Sequence, residues 1–208
     1  MTRSHNGIYI ISDWLMRLAM VNLFWVFFTL IGGVVLGVYP ATVAAASLLR
    51  EWMKGSRPSP LRFYKREYVR VFLASNLTFL LLVFLFSLSM LNLWIVTGFT
   101  GFIFYFFVFS LLLVVAFLVS LTMGLVLSFM KGKKGKEALK DSLYLIVIHP
   151  FRIVPVVLSV FITYMLFNWF PGILPFYSVS LVIACIVYVY EVSLPQEEVE
   201  TVASSRVS

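Results

Sequence analysis

Charge is scarce in this sequence, and its distribution says more than its amount. Acidic and basic residues make up 12% of the 208 positions, and none falls in Leu18 to Leu49, Val71 to Met130 or Ile153 to Tyr190. Those intervals hold 32, 60 and 38 residues. A membrane crossing needs about 20 apolar residues, so each can hold at least one. With 62% hydrophobic residues and a mean hydropathy of +1.01, the chain carries more apolar surface than a soluble domain of its length can bury. The fold class that follows is all-α, a polytopic transmembrane helix bundle in a single domain.

Other absences exclude chemistry. One cysteine, Cys185, rules out an internal disulfide and a Cys-based zinc site. The two histidines, His5 and His149, are far apart, so a His-based metal site has no support. No acid lies within the apolar intervals, which argues against a proton-coupled pump and an intramembrane hydrolase. The chain has no His-Glu-x-x-His, no Gly-x-Ser-x-Gly and no phosphate-binding glycine loop with its lysine. A non-enzymatic protein without cofactor is expected. The N-terminal residues lack the basic start, short apolar core and small-residue cleavage site of a secretory signal, so a retained N-terminus is expected.

Span boundaries come from turn residues. The 60-residue interval reads as two spans around Thr97, Gly98, Thr100 and Gly101. The 38-residue interval reads as a hairpin turning between Asn168 and Pro175. The first interval is ambiguous. The preferred reading is one helix to Val38, a break at Tyr39-Pro40 and a short interfacial helix from Ala41 to Met53; the alternative turns at Gly32-Gly33 and adds a sixth span. About five spans result, near 15–38, 72–96, 102–129, 146–167 and 173–191. The loops 50–70 and 131–141 are basic and should face the cytoplasm, with the acidic tail 192–208 on the same side. Nucleic acid is not an expected partner, because there is no soluble domain.

Several residues are candidates for interaction. Gly33 and Gly37 form a Gly-x-x-x-Gly step, and Ala116, Ser120, Gly124 and Ser128 repeat a small residue every fourth position, suiting close helix packing or a homodimer face. Arg17 stands one turn from Asp13 beside Trp14, as an interfacial anchor would. Asn22 and Asn76 are placed to hydrogen-bond between helices. His149 and Arg152 could form a pocket for an anionic group. Lys131, Lys133 and Lys134 could hold anionic lipid head groups.

From Trp14 the chain reads W-L-M-R-L-A-M-V-N-L-F-W, then F-T-L-I-G-G-V-V-L-G-V-Y-P-A-T, and after Arg50 comes E-W-M-K-G. With Phe63, Tyr64, Lys65, Tyr68 and Ser75-Asn76, this resembles the YesL-like family of bacterial membrane proteins, the N-terminal third carrying the likeness. The resemblance implies a context rather than a reaction: such proteins occur in Gram-positive bacteria, often beside genes for ABC-type carbohydrate importers and sugar-degrading enzymes. An accessory or assembly factor for such an importer, contacting its permease subunits, is one expectation; a small stand-alone permease or channel is the other. The family's Pro-Ala-Thr step falls on Pro40 and Thr42. If Pro40 ends one helix and Thr42 helps start the next, Trp52 would face lipid or a partner while Arg50 and Lys54 reach lipid phosphates.

Overall fold

The structure is a computed structural model describing residues 3–133, 135–148, 153–170, 172 and 174–192. All regular structure among these residues is helical: α1 Arg3–Ile31, α2 Val35–Met53, α3 Pro60–Val96, α4 Gly101–Met130, α5 Gly135–Ile148, α6 Ile153–Trp169, α7 Leu174–Tyr177 and α8 Ser180–Val192. Three stretches, Tyr9–Ile31, Pro60–Val96 and Gly101–Met130, are long and apolar enough to cross a membrane. Val154–Trp169 and Ser180–Glu191 are apolar but shorter. On α3 and α4, Leu73 and Phe102 leave 84% and 83% of their surface open. Side chains of that kind, exposed along whole helices, require lipid around them, and the chain is a membrane protein.

The first apolar interval turns at the alternative position. α1 ends at Ile31, where Gly33 donates to the Leu30 carbonyl at 3.1 Å and Val34 donates to Thr29 at 2.9 Å. That pair of bonds is the glycine-terminated helix end in which the residue after the helix adopts a left-handed conformation, and Gly33 has φ +73°. The expected break at Tyr39-Pro40 is therefore corrected, since Pro40 lies inside α2. Proline costs a helix one hydrogen bond, but in membrane bundles neighbouring helices make that tolerable.

The expected interfacial helix is corrected as well. α2 packs against α1, α3, α4 and α8. Its residues Tyr39, Pro40, Ala41 and everything from Val43 to Leu49 are buried. The small side chains of Ala41, Ala44, Ala45 and Ala46 let neighbouring helices come close. Polar contacts then fix the registers: Tyr64 of α3 donates to the Ala41 carbonyl at 2.7 Å, and Trp25 of α1 donates to the Thr42 hydroxyl at 3.0 Å. Tyr39 stacks on Phe79 and donates to the Thr122 carbonyl of α4 at 3.3 Å. α2 gives this core more buried residues than any other helix, although the preferred reading of the sequence puts its second half at the membrane surface.

The later spans also differ in detail. α5 begins at Gly135, so much of the expected 131–141 loop is helix, and it packs along α4. The expected last span, 173–191, is divided into α7, a turn at Ser178 and Val179, and α8. Thirteen residues give α8 a length of about 20 Å at about 1.5 Å per residue, short of a hydrocarbon core of about 30 Å. Its first amides are met by another helix: Asn22 of α1, fully buried, accepts hydrogen bonds from the Val179 and Ser180 N–H groups at 3.1 and 3.3 Å.

Candidate functional site

Side chains from α2, α3, α5, α8 and the exit of α4 bring several opposite charges together in one layer. Arg50, in the last turn of α2, pairs with Glu191 near the end of α8 at 2.5 Å, each side chain about four-fifths buried. On α3, one helical turn brings Arg70 to Glu67 at 2.6 Å, and Arg70 also donates to the Phe129 carbonyl of α4 at 3.1 Å. Lys131, just past α4, lies over the Tyr190 ring at 4.8 Å and 3.7 Å from Asp141. The layer ties both ends of the sequence to its middle.

Asp141 is the hub of the α4–α5 connection. Its carboxylate accepts from Lys133 at 2.5 Å and from Ser128 at 2.9 Å. Partial burial pushes the Asp141 carboxyl up, but the hydrogen bonds from Lys133 and Ser128 and the charges of Lys131 and Lys133 outweigh it and hold the group below the usual carboxylate range. Gly132, φ +87°, makes the tight exit from α4 that brings Lys133 back to this acid.

Two open spaces adjoin the layer. A cavity of about 240 Å³ is bounded by Arg50 and Glu51 of α2, Arg66, Glu67 and Arg70 of α3, and Lys131. A wider cleft of about 700 Å³ lies between α1, the end of α2 and α8, lined by Trp14, Met53, Ala184, Cys185, Tyr188 and Glu191. Beside it Arg17 pairs with Asp13 at 2.7 Å and sits 5.4 Å from the rings of both Trp14 and Trp52. Its positive charge against two indoles is a cation–π arrangement. Trp52 is buried in this contact, and lipid does not reach it.

The expected site residues separate into groups. Arg50, Lys131 and Lys133 join the charged layer, Arg17 pairs with Asp13 beside the cleft, and Lys54 stands at the end of α2, its N–H donating to the Arg50 carbonyl. Pro40 and Thr42 belong to the interior, Thr42 also donating to the Val38 carbonyl at 2.8 Å. Asn22 caps α8, whereas Asn76 is buried with no hydrogen-bond partner among the described residues. Lys134, His149 and Arg152 lie outside the described residues.

Among the small residues, Gly37 and Gly124 are true close approaches. A Cβ on Gly37 would lie 2.7 Å from the Thr29 Cα, and one on Gly124 would lie 2.9 Å from the Ser142 Cβ. Ser128 is buried against Ser142 at 3.2 Å, while Ala116 and Ser120 are half-buried. Gly33 packs against nothing; its place is the turn, and Gly32, which meets Gly37 and the Tyr68 hydroxyl, is the contact glycine. Sequence reasoning also missed Glu67, Arg70, Asp141, Tyr190 and Glu191. Only Glu67 and Arg70 left a local trace, the i,i+3 spacing of opposite charges on one helix.

Comparison with known proteins places this arrangement in a lineage. Residues 18–93 match the domain family described as "Protein of unknown function, DUF624". That stretch contains α2 and the glycine turn. "Uncharacterized protein YteU" of Bacillus subtilis is 32% identical over 192 residues, covering 89% of this chain and 85% of that one. "Uncharacterized protein YesL" of the same bacterium is 41% identical over 68 residues, 30% of this chain and 32% of the relative. No solved structure matches the chain. With the similarity to YteU running through nearly the whole of both proteins, the chain belongs to the YesL-like, DUF624 family of membrane proteins.

Proposed function

We propose that this protein is a non-enzymatic binding component of the bacterial cell membrane, acting as an accessory or assembly factor for a carbohydrate ABC importer. The observation that carries the binding role is the cleft between α1, α2 and α8: it is largely apolar, bordered by Trp14, and has room for side chains of a partner helix. The class of partner rests on the genomic context that the family resemblance implies. Several polar groups that a solute path would use are engaged inside the protein, although Asn76 is not, and this balance favours binding over transport. Asn22 caps α8, and Thr78, Thr122 and Thr163 donate to carbonyls of their own helices. The small residues Gly37 and Gly124 are likewise occupied by internal contacts rather than a dimer face.

The contact of Arg17 with Trp52 supports an orientation with the N-terminal part of α1 on the same side as the basic segment after α2. We place both on the cytoplasmic side, with the C-terminus there too, because Lys and Arg concentrate in that layer.

The lone thiol offers the test, since Cys185 lines the cleft. The tagged full-length chain, expressed in its own bacterium, is labelled at Cys185 with a thiol-reactive photocrosslinker, irradiated in membranes and purified for mass spectrometry. Recovery of importer permease subunits, absent when the only cysteine is moved to lipid-facing Leu73, is the expected result. Crosslinks to the chain alone or to lipid at both positions would sink the proposal. Accessibility of cysteines placed at Ser4 and Ser204 to a membrane-impermeant maleimide tests the orientation; labelling in intact cells would reverse it.

A further inference from the structure

The cavity between α2, α3 and the α4 exit has more hydrogen-bond donors than its walls use. Arg50 donates from Nε to Glu191, and its two terminal amino groups make no hydrogen bond among the described residues. Arg70 uses Nε on Glu67 and Nη2 on Phe129, while Nη1 points toward Gly132, whose missing side chain leaves it uncovered. The Lys131 ammonium is 3.7 Å from Asp141, beyond hydrogen-bond reach. Arg66 is only 3.5 Å from Glu67 and its side chain is 68% exposed, so the cavity communicates with the outside. Four cations face two carboxylates across the walls, and Glu67 is already engaged by Arg66 and Arg70.

We infer that this cavity binds a phosphate group. Glu191 and Asp141 approach Arg50 and Lys131 from outside the cavity and balance the four cations, so the signal is the donor surplus. A compact anion with several acceptor oxygens satisfies forked guanidinium groups and an ammonium together, and the oxygens of a phosphate monoester answer that donor surplus. The space, about 240 Å³, equals roughly eight waters at about 30 Å³ each, enough for a phosphate and a few atoms beyond it. An anionic lipid head group or a soluble phosphate ester would present the same chemistry. The inference stands on this cavity alone and is independent of the importer reading.

The test uses the purified full-length chain. Native mass spectrometry measures binding of phosphatidic acid against phosphatidylcholine, and calorimetry measures binding of inorganic phosphate and glycerol 3-phosphate. Lys131→Gln and Arg66→Gln should each weaken binding about tenfold, the usual loss for one hydrogen bond to a charged group. Glu51→Gln, removing the wall acid that has no ion pair among the described residues, should tighten it. Lys65→Gln, an exposed base outside the cavity, should change nothing. Phosphatidic acid bound at least tenfold tighter than the soluble probes identifies a lipid head group; soluble esters bound as tightly identify a free ligand. Absence of binding to every probe overturns the inference, as does an equal effect of Lys65→Gln and Lys131→Gln. Should Lys131→Gln fail to elute as a single species, exposed Arg66 carries the test, and unchanged binding in Arg66→Gln overturns it equally.

Discussion

Replacing Asn22 by Ala removes an acceptor that two backbone N–H groups share at the start of α8. Both donors would then be left without that acceptor, Ser180 buried and Val179 half-buried, beside a position at 0% exposure. Capping residues are worth about 1 kcal/mol, and a buried donor left without a partner costs about 1–3 kcal/mol. Interhelical hydrogen bonds in membranes average only about 0.6 kcal/mol, because partners are also found in the unfolded state. Two donors on this scale give a loss of about 2 kcal/mol. The variant can be unfolded by SDS titration from mixed micelles and followed by tryptophan fluorescence. Asn168→Ala serves as control, because that exposed side chain bonds only its own helix, at the Tyr164 carbonyl. A loss in Asn22→Ala below about 0.5 kcal/mol, the range of ordinary surface substitutions, would refute the view that α8 is capped in trans.

Other perturbations follow from the same packing. Gly37→Ala drives a methyl into the Thr29 backbone and should cost about 1–3 kcal/mol in the same titration, whereas Gly7→Ala, in open space on α1, should be neutral or slightly stabilising. Arg50→Met alone should destabilise more than Arg50→Met with Glu191→Leu, giving a coupling of about 1 kcal/mol or more in a double-mutant cycle. Asp141 has a folded pKa below its ordinary 3.8, so its contribution is present above that value and fades as pH falls through the lower folded value. A melting series from pH 7 to pH 3 should therefore show less acid sensitivity in Asp141→Asn than in the parent.

Charge-free intervals were enough to read the helical membrane class, because lipid thickness sets a length that composition reveals directly. They were also enough to place the α3–α4 turn, where glycine and threonine interrupt an otherwise apolar run. The first hairpin was harder. Tyr39-Pro40 and Gly32-Gly33 both break helices locally, and only contacts with α3, α4 and α8 make α2 continuous through Pro40. The same dependence hid the charged layer: Arg50 and Glu191 are 141 positions apart, so no spacing rule links them. Gly33 looked like a packing glycine by its interval to Gly37, yet Gly32 makes the contact, since the turn between them departs from helical periodicity. Asn22 was legible as an interhelical hydrogen bonder but its partner was not, because a backbone amide has no signature in sequence.

The central position of α2 has a consequence for biosynthesis. This helix emerges second from the ribosome, yet one of the helices that enclose it, α8, is the last made of those described. Until then Arg50 lacks the carboxylate that neutralises it in the finished protein. A chain stopped before Glu191 would present an uncompensated cation at the end of a loosely held helix, the kind of defect that membrane proteases recognise. Synthesis of α8 is thus the step that neutralises Arg50, and products truncated before it are expected to be short-lived even when every earlier helix has been inserted.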